Sequence, residues 1–352
     1  MFNKPLETMQ VTAEEIAQII NGHIIGNPKM KVSSFSSIMD AKKGDISFLS
    51  DYKYKQYIES TEASILITDN SDINIKKSIT VIQVSNPLKK FIEILHIYFI
   101  KTDKKKGISL NSDIHKSSSL GQNVLIDSFC IIEKDVIIGD NTSIHPNTFI
   151  GERVIIGSNC NIGPNVSIYH DSKIGHNCII HAGVVIGSDG FGFTQEENII
   201  EKIPQIGKVI IHNNVEIGAN STIDRGALSN TIIHNDVKLD NLIQIGHNVE
   251  IGQQTLIAAH TAIAGSSKIG EKCMIGGQVA ISGHLHIGNN VKIAGKSGVI
   301  KNIKSNTTIQ GPMAYNMKDF QKSYVHFKNL PNIVSNINLI NKYIETSTNN
   351  QK

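Results

Sequence analysis

The clearest pattern in the chain is a branched apolar residue at every sixth position between residues 120 and 299. A helix repeats its apolar positions every 3.6 residues and an amphipathic strand every two, so neither produces a strict period of six. A mainly β fold, the left-handed parallel β-helix, produces this period because each of its three faces takes six residues and points one branched side chain inward. Three runs separated by two phase slips carry 27 such residues, none of them polar: Leu120, Ile126, Ile132, Ile138, Ile144, Ile150, Ile156, Ile162, Ile168, Ile174, Ile180 and Ile186; Ile211, Ile217 and Ile223; Ile233, Leu239, Ile245, Ile251, Ile257, Ile263, Ile269, Ile275, Ile281, Ile287, Ile293 and Val299. The count predicts about nine coils stacked at the ~4.8 Å spacing of neighbouring strands.

A second inward position follows four residues after each branched residue, and it holds small side chains. All four cysteines occupy this position: Cys130, Cys160, Cys178 and Cys273. No pair has the CxxC spacing of a metal or redox site, so we expect four buried thiols that fill the core. Glycine often follows the inward isoleucine, which predicts tight corners that need a permissive backbone.

The two phase slips predict loops that leave the prism. The larger, around Ser188–Gln205, contains the sequence SDGFGF, and the smaller, near Asp224–Asn230, contains DRGALSN. A regular solenoid has no packing use for such loops, so we expect them to serve function.

The regions on either side of the repeat predict three further parts. Residues 1–100 lack the period of six and predict a small α/β domain, with Thr12 capping a first helix, strands at 63–68 and 78–84, and a helix at 87–99. Residues 101–113, which include KTDKKK, predict a charged linker before a prism over 114–305. Residues 306–352 predict a C-terminal helical extension, with one or two helices over 314–344 around Pro331.

Composition excludes several classes of protein. The net charge of +3 gives no indication of nucleic-acid binding. No apolar run approaches the roughly 20 residues of a membrane-spanning helix, and the first ten residues lack the apolar core of a signal peptide. We therefore expect a cytoplasmic protein with reduced cysteines.

One histidine of the repeat has a neighbourhood suited to acyl transfer. His247 follows the inward Ile245 by two residues, so it points outward, and Gly265 stands one coil later in the same column. A base beside an accessible backbone N–H is a minimal acyl-transfer site, and it needs no metal. His284 lies about two coils from His247, on the order of 10 Å away, where it suits another part of a large substrate.

Several segments in a fixed order give the chain a specific resemblance. SDGFGF, IPQIG, STIDRGALSNTII, DNLIQIGHNVEIG and MIGGQVAISGHLHIG resemble the UDP-3-O-acylglucosamine N-acyltransferase family of lipid A biosynthesis. The resemblance extends over nearly the whole chain, since GDISFLSDYKY in the N-terminal domain is similar to the family's uridine-binding segment.

The resemblance implies a reaction and roles for individual residues. A 3-hydroxyacyl chain would pass from the thioester of acyl carrier protein to the 2-amino group of UDP-3-O-(3-hydroxyacyl)glucosamine, with no bound cofactor. His247 matches the family's general base and Gly265 its oxyanion donor, while Asp240 and His284 match supporting polar residues. The aromatic residues that would hold uracil are Phe48 and Tyr54. Between them Asp51 stands where many relatives carry asparagine, and it lacks the amide donor of that residue.

The resemblance also implies a homotrimer, with active sites in the clefts between prisms. Lysines cluster near the end of the repeat, and Lys301 and Lys304 among them are candidates for docking the acidic acyl carrier protein. Gly298 matches the position at which relatives close the acyl groove with a side chain, so a glycine there predicts a longer acyl chain.

Three other functions are compatible with a hexapeptide β-helix. A trimeric zinc enzyme similar to γ-class carbonic anhydrases needs three converging histidines, but His247, His260 and His284 do not share a column. A sister O-acyltransferase that acts on UDP-N-acetylglucosamine resembles the repeat but lacks the N-terminal domain. A non-catalytic scaffold leaves the two extruded loops unexplained.

Overall fold

The computed structural model describes residues 10–69, 78–99, 106–312 and 314–349. These residues form two compact units, one within residues 1–105 and the other within residues 106–352. The expected linker residues 101–105 and the first nine residues lie outside the described part of the chain.

The N-terminal unit is a small α/β domain, as the sequence predicted, and it packs two helices on a five-stranded mixed sheet. Helix α1 begins with a reciprocal cap: Thr12 Oγ1 accepts the Glu15 N–H, and the Glu15 carboxylate accepts the Thr12 N–H at 2.8 Å. The five-stranded sheet has the order β2-β7-β6-β5-β4, and β1 pairs with β3. The elements are β1 (Val11–Thr12), α1 (Ala13–Ile20), β2 (His23–Ile25), β3 (Lys31–Val32), β4 (Ser34–Phe35), β5 (Asp45–Leu49), a 3₁₀ helix (Tyr52–Tyr57), β6 (Ile65–Thr68), β7 (Thr80–Gln83) and α2 (Pro87–Phe99).

The second unit is a parallel β-helix with three sheets, called here sheets I, II and III in chain order. Sheet I contains β8 (Gly107–Ile108), β11 (Leu125–Ile126), β14 (Ser143–Ile144), β17 (Asn161–Ile162), β20 (Ile179–Ile180), β25 (Glu216–Ile217), β28 (Lys238–Leu239), β31 (Leu256–Ile257), β34 (Met274–Ile275), β37 (Lys292–Ile293) and β39 (Thr308–Ile309). Sheet II contains β9 (Asp113–Ile114), β12 (Ile131–Ile132), β15 (Phe149–Ile150), β18 (Ser167–Ile168), β21 (Val185–Ser188), β26 (Thr222–Asp224), β29 (Gln244–Ile245), β32 (Ala262–Ile263), β35 (Ala280–Ile281) and β38 (Gly298–Val299). Sheet III contains β10 (Ser119–Leu120), β13 (Ile137–Ile138), β16 (Ile155–Ile156), β19 (Lys173–Ile174), β24 (Val209–Ile211), β27 (Thr231–Ile233), β30 (Glu250–Ile251), β33 (Lys268–Ile269) and β36 (His286–Ile287).

The register of the sheets confirms the predicted repeat. Inward residues one coil apart are paired, for example Ile245 with Ile263. The branched residues and the small residues of the second inward position form one continuous core along the prism. All four cysteines are free and buried in that core, as expected.

The prism is longer than the sequence predicted at both ends. Its sheets contain 11, 10 and 9 strands within the described residues, which corresponds to ten coils rather than nine. The strand Gly107–Ile108 lies inside the segment expected to be a linker, Asp113–Ile114 straddles its end, and Thr308–Ile309 lies beyond the expected end of the prism at 305. Ile108 is in phase with the repeat but stays 52% exposed, so the first coil lacks a complete core.

The backbone angles contradict the expectation that glycines follow the inward isoleucines because the corners need a left-handed backbone. Of the glycines that follow inward isoleucines, only Gly187 has a positive φ, and the left-handed corner residues are mostly Asn and Asp, such as Asn141 and Asn248. The other glycines instead let successive coils approach. A Cβ at Gly139 would lie 2.7 Å from the backbone carbon of Gly157 in the next coil.

The remaining elements are a hairpin and one long helix. The larger insertion contains the antiparallel strands β22 (Phe193–Glu196) and β23 (Ile199–Lys202). The C-terminal extension is a single helix, α3 (Met317–Asn349), that continues through Pro331. Among the described residues, no helix is both long and apolar enough to cross a bilayer.

Candidate active site

One corner of the prism, between sheets II and III, carries both insertions and His247. The insertions leave this corner on two successive coils, after β21 and after β26. The next two coils carry His247 and Gly265 at the same corner, after β29 and β32. The predicted loops therefore lie beside the predicted base.

The imidazole of His247 is half-buried between two glycines. A Cβ added at Gly265 would lie 2.5 Å from His247 Nε2, and one added at Gly190 in the larger insertion would lie 2.6 Å from His247 Cβ. Any side chain at either position would displace the ring. The predicted stacking of His247 beside Gly265 is present in the structure.

The backbone N–H of Gly265 has no acceptor in the described part of the chain. At equivalent corner positions elsewhere, a side chain of the following coil accepts this N–H. Asp140 Oδ1 accepts from Gln122 at 2.6 Å, and Asn289 Oδ1 accepts from Glu271 at 2.9 Å. The residue that follows Gly265 in its column is Gly283, which has no side chain. The Gly265 N–H therefore remains available to a ligand oxygen.

His284 and Asp240, the two residues expected to support the reaction, lie at different corners of the prism. The His284 side chain is exposed at the same corner, one coil beyond Gly265, and the backbone N–H of His284 donates to the Gly265 carbonyl at 3.0 Å. Asp240 lies one face away, at the corner between sheets I and II, where its carboxylate accepts the N–H groups of Asn241 at 2.7 Å and Ala259 at 3.1 Å. One chain thus brings together His247, Gly265 and His284, but not Asp240.

A buried carboxylate next to His247 was not anticipated from the sequence. Asp224 is 8% exposed and accepts hydrogen bonds from Ser188 Oγ at 3.1 Å and Gln244 Nε2 at 2.9 Å. Burial raises the pKa of Asp224 to about 6, and the hydrogen bond from Ser188, followed by the nearby imidazole of His247, offsets part of that rise. The sequence feature that could have pointed to Asp224 is the charged pair Asp224–Arg225 directly after the inward Ile223.

Arg225 holds the base of the larger insertion. Arg225 is 2% exposed, and its guanidinium donates to the backbone carbonyls of Gly187 and His170, both at 2.8 Å. These bonds fix the strand end from which the insertion starts, beside Asp224.

The predicted uridine-binding residues lie in the N-terminal unit. Phe48 is half-buried in β5, and its ring centroid lies 4.6 Å from that of Phe91 on α2. Tyr54 is 37% exposed, with Lys53 Nζ 4.9 Å from its ring centroid. The Tyr54 ring also lies beside that of Tyr57, at 6.4 Å between centroids, and no ring contact joins Phe48 to Tyr54 within the described residues.

Asp51 caps the 3₁₀ helix between those aromatic residues. Its carboxylate accepts the Lys53 N–H at 3.0 Å and pairs with Lys53 Nζ at 2.9 Å, and the hydrogen bond from that ammonium lowers the pKa of Asp51. Since an asparagine oxygen can accept the same N–H, the departure from Asn leaves the cap intact.

The residues expected at the end of the prism are accessible. Gly298 lies on the outer face of β38, and a Cβ there would meet no atom within 4 Å. The side chains of Lys301 and Lys304 are exposed.

A long groove runs along sheet I beside Asp240. It has a volume of about 920 Å³ and is lined mainly by small and apolar side chains, including Leu256, Ala258, Met274 and Ala294. The described residues contain no cluster of three His, Cys, Asp or Glu side chains able to hold a metal ion.

Comparisons with known proteins identify the family. The sequence profile of UDP-3-O-(3-hydroxymyristoyl) glucosamine N-acyltransferase, LpxD, matches residues 29–97, and bacterial transferase hexapeptide repeats match residues 117–152 and 153–188. The UDP-3-O-acylglucosamine N-acyltransferase of Phocaeicola vulgatus is 50% identical over 96% of this chain and 98% of its own length. The enzymes of the same name from Christiangramia forsetii and Coxiella burnetii are 48% and 38% identical, over 96% and 94% of this chain and 99% and 97% of their own lengths. The chain belongs to the UDP-3-O-acylglucosamine N-acyltransferase family.

Membership in this family makes the chain an acyltransferase of lipid A biosynthesis, as the resemblance implied. The match to residues 29–97 also places the N-terminal unit in the family, which separates this chain from the sister O-acyltransferases of the hexapeptide class. The zinc-enzyme and scaffold alternatives are set aside on the same grounds.

Proposed function

We propose that the chain transfers a 3-hydroxyacyl group from acyl carrier protein to the 2-amino group of UDP-3-O-(3-hydroxyacyl)glucosamine, with His247 as the general base. The observation that carries this proposal is that the imidazole of His247 lies beside Gly265, whose N–H has no acceptor among the described residues. The family relatives support the nucleotide sugar as acceptor through their shared name, UDP-3-O-acylglucosamine N-acyltransferase.

The geometry supports a reaction that needs only these two groups and the co-substrates. The amine attacks the thioester carbonyl, a C–N bond forms, and His247 Nε2 takes the proton that the nitrogen loses. The Gly265 N–H donates to the oxygen that becomes negative. The C–S bond then breaks, and the departing phosphopantetheine thiolate takes the proton from the imidazolium, which leaves an amide and a free thiol. No metal or bound cofactor enters this scheme.

A choice between two acceptors tests the proposal. Purified enzyme with a 3-hydroxyacyl-acyl carrier protein is offered UDP-3-O-(3-hydroxyacyl)glucosamine or UDP-N-acetylglucosamine. We expect thiol release only with the free amine. Equal or faster release with UDP-N-acetylglucosamine contradicts the proposed acceptor.

We expect three chains to assemble around a threefold axis, because one chain does not complete the site. Asp240 and the groove on sheet I lie at a different corner from His247, so a second copy would bring them to it. Closed cyclic symmetry is the usual way for identical chains to bury a repeated surface. Analytical ultracentrifugation at micromolar protein should give three times the chain mass, and a monomer would contradict this assembly.

Phe48, Asp51 and Tyr54 would bind the uridine. The support is chemical: an aromatic ring can stack on a base, and Tyr54 is 37% exposed. Such contacts hold ground state and transition state alike, so they contribute mainly to KM for the nucleotide.

Gly298 lies on sheet II and does not line the groove on sheet I, but it would set the length of the acyl chain by leaving the path of the chain open at its own position. The space around it supports this role, since an added side chain would meet nothing within 4 Å of its Cβ. We expect Gly298→Met to prefer shorter donors than wild type, because each buried methylene that is lost costs about 0.8 kcal/mol, or roughly fourfold in kcat/KM. A series of acyl carrier protein donors measures the preference, and an identical optimum for both enzymes would place the end of the groove elsewhere.

Lys301 and Lys304 would dock the acidic acyl carrier protein. Both are exposed, so their charges are available to steer a partner. In the double variant Lys301→Glu/Lys304→Glu we expect KM for the acyl donor to rise about tenfold, and the difference from wild type to shrink at high salt. Lys173→Glu, an exposed charge reversal on sheet III, serves as the control. An unchanged KM in the double variant would exclude this docking site.

A further inference from the structure

The chain contains the tetrapeptide Ile-Gly-His-Asn twice, at 174–177 and at 245–248. Both copies turn a corner of the prism, and both asparagines have a left-handed backbone, with φ of 56° at Asn177 and 63° at Asn248. Identical local sequence and backbone would give the two histidines the same environment. The hydrogen bonds of the two rings nevertheless differ.

At the first copy, a backbone donor determines the tautomer of the neutral ring. His176 Nδ1 receives the N–H of Ser158 at 3.0 Å. A backbone N–H only donates, so Nδ1 must be the acceptor and the ring hydrogen of neutral His176 lies on Nε2.

At the second copy, the same reasoning gives the opposite tautomer. His247 Nδ1 lies 2.9 Å from Asn248 Oδ1. That side-chain atom also receives the backbone N–H of Ala227 at 3.0 Å, which identifies it as the oxygen and not the nitrogen of the amide. An oxygen accepts, so His247 Nδ1 carries the hydrogen and Nε2 keeps its lone pair, facing Gly265.

The smaller insertion supplies the groups that orient Asn248. Ala227 donates to the side-chain oxygen, and Ser229 Oγ accepts from Asn248 Nδ2 at 2.7 Å. Gly226 allows this approach, since a Cβ there would lie 2.8 Å from Asn248 Nδ2. Asn177 has no insertion beside it and makes no side-chain hydrogen bond within the described residues.

We propose that Asn248, oriented by the 224–230 insertion, is a positioning residue that holds His247 in the Nδ1–H tautomer and so presents Nε2 as the base. The tautomer follows from the hydrogen bonds alone, and its catalytic consequence rests on the proposed function of His247. When His247 takes a proton from the amine, the Nδ1–H···O bond becomes charge-assisted, and Asn248 stabilises the imidazolium as well.

The direct test is the ring tautomer itself. Magic-angle-spinning NMR of protein labelled with [¹⁵N]histidine distinguishes protonated from unprotonated ring nitrogens, and the His247 signals are assigned by their loss in His247→Gln. We expect neutral His247 to carry hydrogen on Nδ1 and neutral His176 on Nε2 in the same sample. Hydrogen on Nε2 of His247 would overturn the proposal.

Substitutions of Asn248 connect the tautomer to turnover. Asn248→Gly removes the side chain but tolerates the positive φ, so it avoids backbone strain. We expect it to return His247 to a mixture of tautomers and to lower kcat about 10²-fold, with KM for the nucleotide little changed. Asn248→Asp keeps an oxygen for both donors and should retain most of the activity. Asn177→Gly makes the same change at the matched corner and should leave kcat unaltered.

The outcomes separate this proposal from the proposed function. Loss of the Nδ1–H tautomer in Asn248→Gly with unchanged kcat would overturn the positioning role. Full activity of His247→Ala would instead contradict the proposed base, while the tautomer measurement on the wild-type protein would still stand.

Discussion

His247→Ala is expected to lower kcat by about 10³-fold and to leave the fold intact. A positioned general base contributes roughly 10²–10⁴-fold, and the three atoms nearest to an added Cβ at Gly265 all belong to the His247 ring. His247 is half-buried at a corner outside the prism core, so its removal creates no core cavity. Steady-state kinetics with both co-substrates, combined with thermal unfolding, measures the two effects.

The chain offers a matched control for this substitution. His176 occupies the same position in the other Ile-Gly-His-Asn tetrapeptide, at a corner without an insertion. His176→Ala should keep kcat near that of wild type. Wild-type turnover in His247→Ala, or an equal loss in both variants, would contradict the assignment of the base.

Gly265→Ala is expected to lower kcat by about 10²–10³-fold. The new methyl carbon would lie 2.5 Å from His247 Nε2, which is closer than carbon and nitrogen atoms approach, so the imidazole must move. The methyl group would also cover the N–H that we assign to the oxyanion, and the loss of one such donor typically costs that factor. KM for the nucleotide should change little, because the uridine contacts are assigned to the N-terminal unit.

Gly277→Ala controls for the effect of a methyl group at a prism corner. Gly277 follows its inward isoleucine by two residues, as Gly265 does, and its added Cβ would lie 3.1 Å from the Ala259 carbonyl oxygen. We expect this variant to fold and to turn over at nearly the wild-type rate. If Gly265→Ala also kept wild-type kcat, the oxyanion donor would have to be another group.

The repeat could be predicted from the sequence because one physical requirement recurs at every face. A closed triangular coil needs one branched side chain inside each face, so the period of six appears directly along the chain, and Ile245 and Ile263 pair as expected. At the ends of the prism this requirement weakens. Ile108 is in phase with the repeat although it is half exposed in the structure, so the period alone does not mark the boundary of the core there.

The candidate site could be predicted only in part, for a different reason. His247 and Gly265 share a column, and a fixed repeat converts that column into proximity. Asn248 meets the N–H of Ala227, and Asp224 meets Ser188, where insertions without a period leave the prism, so no spacing in the sequence places these groups together. The resemblance to the family assigned Asp240 to the site. Within one chain, however, Asp240 lies at another corner of the prism.

The position of the new acyl group on the product tests the central claim most directly. Purified enzyme is incubated with a 3-hydroxyacyl-acyl carrier protein and UDP-3-O-(3-hydroxyacyl)glucosamine, and tandem mass spectrometry locates the added chain before and after mild alkaline hydrolysis. The proposed function predicts an added acyl group on the 2-amino nitrogen, which survives the alkali while the 3-O-acyl ester is cleaved. An added group that the alkali removes, or a nucleotide sugar that gains no acyl group, would contradict it.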